Sequence, residues 1–150
     1  MKTMLKAALI ASLSLTAMPA IVSAQDDPVE ARQQSMKAVG KATGVVAGML
    51  RGRADFDAMA ANAALADMRA AVEGYDMLFP EGSEAFDRSE AGPTIWSDRA
   101  DFEMKVAAFK SDLDAAIAAN PQTLEALGAS FGAVGQNCQA CHEAHRVDRF

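Results

Sequence analysis

Downstream of residue 25, four stretches repeat apolar side chains at alternating three- and four-residue spacings, and none alternates apolar with polar at the period of a strand. Such a chain has one simple way to bury its stripes, which is to pack four helices side by side. The predicted fold class is all-α, an antiparallel four-helix bundle. The first stretch opens at Asp27-Pro28, a capping residue followed by proline at the first helical position. Its stripe runs Val29, Arg32, Met36, Val39, Thr43, Val46, Leu50. Two members are odd: Arg32 is a charge on a core face, and Met36 is a thioether near the middle.

Gly52 marks a break, and the second stretch runs from near Asp55 to about Leu78. Phe56, Met59, Ala63, Ala66 and Ala70 form one stripe, and Leu65, Met68, Val72 and Tyr75 form its neighbour. The small alanines would let another helix, or another subunit, approach closely. Phe79-Pro80 ends this helix. Residues 81–93 are polar and rich in Gly, Ser and acidic side chains, a loop long enough to cross between helices that are not hairpin neighbours. Ile95-Trp96 is expected to pack on the bundle near the start of the third helix. That helix carries Phe102, Val106, Phe109, Leu113 and Ile117 and stops at Asn120-Pro121. The fourth runs from about Pro121 to Arg146 with the stripe Leu124, Leu127, Phe131, Val134, Cys138, Cys141, His145. Gly128, Gly132 and Gly135 each weaken it by about 1 kcal/mol relative to Ala. Such a row suits a large group lying against the backbone, or a close helix contact.

The first residues have the pattern of an export leader. Lys2 and Lys6 give a positive start, Ala7 to Ile21 are almost all apolar or small, and Val22-Ser23-Ala24 offers a cleavage site. The apolar stretch is too short and too early for a good membrane span, though an uncleaved anchor is the other reading. The domain organisation expected is a signal peptide over 1–24 and one bundle over 25–150, exported to the periplasm. Residues 1–24 hold two of the 14 basic residues and none of the 20 acidic ones, which leaves the rest of the chain at −8. That balance argues against nucleic acid or an anionic lipid surface as partner and suits a basic partner protein.

There are two cysteines, Cys138 and Cys141. An exported chain enters an oxidising space, yet a bridge closing so small a loop would staple almost nothing. Their purpose is therefore chemical. Cys138-Gln139-Ala140-Cys141-His142 is the C-x-x-C-H pattern of covalent haem attachment. On a helix Cys138 and His142 share a face, with Cys141 beside them, so two thiols can add to two vinyl groups while the imidazole projects to the iron. Two other chemistries compete. A thioredoxin-like dithiol wants a βαβ context and a helix N-terminus. A zinc site wants four ligands, which Cys138, Cys141, His142 and His145 could supply only under strain.

The motif lies in the last helix. The stretch from Gly135 to Arg146 resembles the C-terminal helix of the cytochrome c-prime family, the class II cytochromes c. Arg32-Gln33-x-x-Met36-Lys37 and Ile95-Trp96-Ser97-Asp98 resemble that family as well, so the likeness spans essentially the whole chain after the leader. It implies one haem inside a left-handed antiparallel bundle, and homodimers formed through the first two helices. It implies Cys138 and Cys141 as thioether links, His142 as proximal iron ligand, and Arg32 and Gln33 beside the propionates. A buried arginine needs an anionic partner, which a propionate would supply; otherwise Arg32 snorkels to water. Arg146 matches a basic residue over the proximal side, or is a solvated charge favoured by the helix dipole.

Met36 matches the position facing the iron opposite the histidine. Where the family has Leu or Phe there, the iron is five-coordinate and high-spin, and NO and CO bind. Where Met ligates, the iron is low-spin and suited to electron transfer. Met36 as haem-packing core is the alternative, since some members carry Met without ligation. His145 is expected to be partly exposed and without a role, and Trp96 and Phe131 to pack on haem or core. The expected function is a periplasmic electron carrier with His/Met-ligated iron. A five-coordinate NO/CO-binding protein is the second reading, and a haem-free exported metal-binding or interaction protein the third. The sequence offers no acid–base pair or activated nucleophile, so no enzymatic role is expected.

Overall fold

The computed structural model describes residues 27–147, so the leader lies outside the described residues. The described chain is helical, with α1 at Pro28–Leu50, α2 at Ala58–Ala71, a 3-10 turn at Tyr75–Leu78, a short α3 at Thr94–Ser97, α4 at Arg99–Ala119 and α5 at Leu124–His145. Side chains close the helix starts. Asp27 accepts from the Val29 amide at 2.9 Å, Asp57 from Ala60 at 3.0 Å, and Thr123 from Ala126 at 3.1 Å. Each such cap stabilises its helix by about 1 kcal/mol. At the end of α4, Asn120 takes the left-handed conformation, with φ of 44°.

α1 packs on α2 and α5, and α4 packs on the same two helices. The starts of α1 and α4 and the ends of the α2 segment and α5 gather at one end. Arg32 reaches Ser83, Arg99 reaches the Asp76 and Phe79 carbonyls, and His145 reaches Thr94. This is the expected antiparallel four-helix bundle. Val46, Leu65, Met68, Leu113, Leu127 and Val134 centre its main core. A second cluster of Phe79, Ile95, Phe102 and Val106 sits at the gathered end, with Phe79 and Phe102 edge to face at 4.9 Å.

Several expectations need correction. α2 begins after Asp57, not Asp55, and stops at Ala71, because Gly74 turns the chain at φ 65° into the 3-10 turn. Only one of its two stripes is buried; Met59, Ala63, Ala66 and Ala70 face outward. On α1, Ala42 and Met49 join the core while Met36 and Thr43 are half-buried. An ideal helix drifts about 20° per heptad, so a strict stripe cannot stay on one face over this length. α5 starts at Leu124, not Pro121. Of its glycines, Gly128 meets Leu50, with 3.6 Å between its Cβ position and Cδ2, but no such contact lies within 4 Å of Gly132 or Gly135. These two therefore mark neither a close helix contact nor a crowded wall among the described residues.

The connection from Phe79 to Asp98 joins helices that themselves pack together, so its length is not needed for a crossing. It serves as a collar over the gathered end. Arg88 pairs with Asp27 at 3.0 Å, the Trp96 indole donates to the Pro80 carbonyl at 3.1 Å, and Gln33 donates to the Arg88 carbonyl at 2.8 Å. Ala91 and Arg146 form a single antiparallel bridge. There the Gly92 amide donates to the His145 carbonyl at 2.7 Å and the Val147 amide to the Glu90 carbonyl at 2.9 Å. A Cβ on Gly92 would stand 2.8 Å from the His145 carbonyl oxygen, so only glycine lets collar and helix meet this closely. Gly92→Ala should lower the unfolding free energy by about 1–3 kcal/mol, read as a lower urea midpoint with unchanged slope. An unchanged midpoint would show that the clasp carries no strain.

Candidate functional site

Between the main core and the collar lies a cavity of about 590 Å³, with walls from α1, the 3-10 turn, the collar, α4 and α5. Its size falls within the roughly 300–1,000 Å³ usual for small-molecule and cofactor sites. Every site residue expected from the sequence lines it: Arg32, Gln33, Met36, Cys138, Cys141 and His142. The remaining wall is mostly apolar, with Val39, Val72, Phe102 and Phe109 among its members.

Three of the six sit on one turn of α5. Cys138 and Cys141 are free thiols, half-buried, and the Cys138 thiol donates to the Val134 carbonyl at 3.5 Å. Burial pushes both thiols up; for Cys141 the nearby Lys105 ammonium opposes this. His142 is the most open of the three.

Arg32 does not snorkel. It is 3% exposed, and its guanidinium donates to the Ser83 carbonyl at 2.6 Å and the Glu84 carbonyl at 3.3 Å. It also lies over the rings of Phe79 at 4.9 Å and Trp96 at 5.7 Å. Burial pulls its pKa below the ordinary value. Its Nε is buried with no hydrogen-bond partner. An orphaned buried donor on a ligand-sized cavity calls for an acceptor supplied from outside the protein. An apolar chamber, two thiols and an imidazole on one turn, and a buried cation with a spare donor together fit haem, a flat apolar ring with carboxylates on one edge.

His145 is not the partly exposed, idle residue that the sequence suggests. It is buried, lines the cavity, and bonds Thr94 and Asp101 through its two ring nitrogens, each at 3.0 Å. Arg146 pairs with Glu90 at 2.7 Å and so ties α5 to the collar. Sequence reasoning missed Tyr75, Glu90 and Lys105 as wall residues, and Thr94 and Asp101 behind the wall. Only the i,i+4 spacing of Asp101 and Lys105 could have signalled a pair; they meet at 2.8 Å.

The family model described as Cytochrome C' matches residues 27–146. Cytochrome c-556 of Agrobacterium tumefaciens (strain II Chrys) is 32% identical over 121 residues, covering 81% of this chain and 98% of that one. Cytochrome c' of Alcaligenes xylosoxydans xylosoxydans is 34% identical over 129 residues, covering 81% and 94%. A solved structure, the nitric oxide complex of a leucine-to-alanine mutant of cytochrome c prime from Alcaligenes xylosoxidans, superposes with a TM-score of 0.73 at 31% identity, covering 82% of this chain and 95% of that one. The chain belongs to the cytochrome c' family, whose covalent haem c it carries.

Proposed function

We propose that this protein is an exported one-electron carrier, with Cys138 and Cys141 as its haem thioether links, His142 as proximal iron ligand and Met36 as distal ligand. When bound, the haem iron supplies ferric–ferrous exchange. The observation that carries the reading is which ligating side chains of the cavity wall remain available. His145 has both ring nitrogens engaged. Lys105 is held by Asp101, and Glu90 by Arg146. Burial pushes the Tyr75 phenol far above its ordinary value, so it stays protonated and is a poor iron ligand. Met36, on a different helix from His142, offers a thioether that needs no proton removed. His/Met ligation raises the reduction potential and fills the sixth position, which suits electron transfer with little rearrangement. The export leader pattern over 1–24 supports a periplasmic setting. The second reading, a five-coordinate iron open to NO or CO, draws support from two similar structures solved with nitric oxide, both mutants of one cytochrome c prime.

The ferric holoprotein should be low-spin and show the weak long-wavelength sulfur-to-iron charge-transfer band. Met36→Ala should abolish the band and turn the spectrum high-spin. A high-spin parent would overturn Met36 ligation and leave the gas-binding reading.

Haem should stay with the polypeptide in a denaturing gel. Cys138→Ala or Cys141→Ala should retain it through one link, and the double variant should lose it. A parent that releases its haem would sink the attachment.

The outward stripe of Met59, Ala63, Ala66 and Ala70 on α2, with Gly44 and Val45 exposed on α1, supports a homodimer through these two helices. Small side chains let helices from two subunits approach closely. Ala66→Arg should therefore sediment as a monomer while the parent sediments as a dimer; a monomeric parent removes this reading.

A further inference from the structure

Both ring nitrogens of His145 have a hydrogen-bond partner. Thr94 Oγ1 lies 2.7 Å from the carbonyl of Ala144 and 3.0 Å from His145 Nδ1. Ala144 is in the last turn of α5, where carbonyls lack a helical amide partner, so the Thr94 hydroxyl donates to it. A hydroxyl has one proton to give. Toward His145 the Thr94 oxygen therefore presents a lone pair, and Nδ1 must donate. On the other side Nε2 is 3.0 Å from Asp101 Oδ2. Lys105 donates to Asp101 Oδ1 at 2.8 Å and holds that carboxyl below its ordinary range, so it is ionised and only accepts. Nε2 must donate as well. Imidazole donates from both nitrogens only as the cation.

We propose that His145 stands in the cavity wall as an imidazolium, and that its buried charge favours the ferrous over the ferric iron. The second half rests on the reading that the haem fills this cavity. His145 is 4% exposed and packs edge-on against the Phe102 ring at 5.5 Å. The charges packed around it are Asp101 and Lys105 from α4 and the Glu90–Arg146 pair where the collar meets α5. One carboxylate lies between two cations, so the Lys105–Asp101–His145 group keeps one net positive charge. Asp101 and Lys105 both act on Cys141, which puts this group beside the attachment turn. A charge shielded from water is little screened by salt. Reduction removes one positive charge from the iron, so a neighbouring cation stabilises the reduced state.

The test uses the holoprotein at neutral pH. His145→Phe keeps a ring against Phe102 and loses both donors, whereas His145→Gln keeps a donor for Asp101; both are neutral. Mediated redox titration should show each variant shifted toward the ferric form by roughly threefold, a fall of about 30 mV on the one-electron scale of 59 mV per tenfold. In the ferrous parent, nitrogen NMR should find both His145 ring nitrogens in the protonated range, assigned by their loss in His145→Gln. The proposal is overturned if either nitrogen resonates as deprotonated. It is also overturned if His145→Gln titrates with the parent, since position and hydrogen bonding, not charge, would then be at work. If His145→Phe fails to fold, the glutamine variant and the NMR measurement still decide. A high-spin parent spectrum would count against Met36 ligation alone and leave the comparison between parent and variants intact.

Discussion

A guanidinium taken out of water must be surrounded by acceptors or π faces, or the fold that buries it does not form. Arg32, on the second turn of α1, imposes that condition. Its acceptors are carbonyls at Ser83 and Glu84, and its π faces are Phe79 and Trp96. All four belong to the connection between α2 and α4, so that connection has to return across the start of α1. Once there, it lies within reach of α5, and the bridge from Ala91 to Arg146 closes the ring. The collar is in this sense the solvation shell of one buried cation. It leaves Nε buried and unsatisfied, on a residue that lines the cavity.

The bundle is unequal along its length for the same reason. Toward the end away from the collar, alanines and medium aliphatics such as Ala61, Ala64, Leu65 and Leu113 let the four helices meet in one core. At the collar end, the rings of Tyr75, Phe79, Trp96 and Phe102 stack edge to face and line or back the cavity. Rings in such contacts hold their positions better than flexible aliphatics, each pair adding about 0.5–1.5 kcal/mol beyond its buried area. Apolar side chains form much of the chamber wall, with Arg32, Glu90, Lys105 and His145 among its polar members. Met36, on the half-buried edge of the α1 stripe, packs against the core and lines the chamber as well, whereas Val46 on the same stripe is core alone. A stripe of apolar residues cannot by itself tell those two fates apart.

What the sequence disclosed was mostly local. Pro28 and Asn120-Pro121 marked helix ends because one fixes φ and the other favours a left-handed cap. The C-x-x-C-H turn stood out because its chemistry is confined to five residues. The bundle followed from periodicity, and the expected site residues do meet at one cavity. The misses were of another kind. Periodicity carried α2 past Gly74, since one glycine barely alters an apolar pattern although it can reverse a chain. It also left open whether Met59, Ala63, Ala66 and Ala70 meet another helix or another subunit, because alanine looks the same on a core face as on a bare one. His145 was misjudged because its partners lie 51 and 44 residues away, one of them at the end of a loop whose path no local rule predicts.

His142 and His145 lie on the same turn of α5 and line the same cavity, yet their surroundings differ. His142 is open, with its backbone in regular helix. His145 is fixed by both ring nitrogens, by the amide of Gly92 on its carbonyl, and by the ring of Phe102. A helix that ends in water frays over its last turn, and a side chain on a fraying turn has no defined direction. A metal ligand there needs its helix held from beyond, since geometry at a site depends on the groups that orient the ligand as much as on the ligand. The collar does this two and three residues downstream, through Thr94 on the Ala144 carbonyl and Gly92 on the His145 carbonyl. Any rotation of the last turn would break the Thr94, Asp101 and Gly92 contacts together. The contacts of His145 therefore hold the helix turn that carries His142.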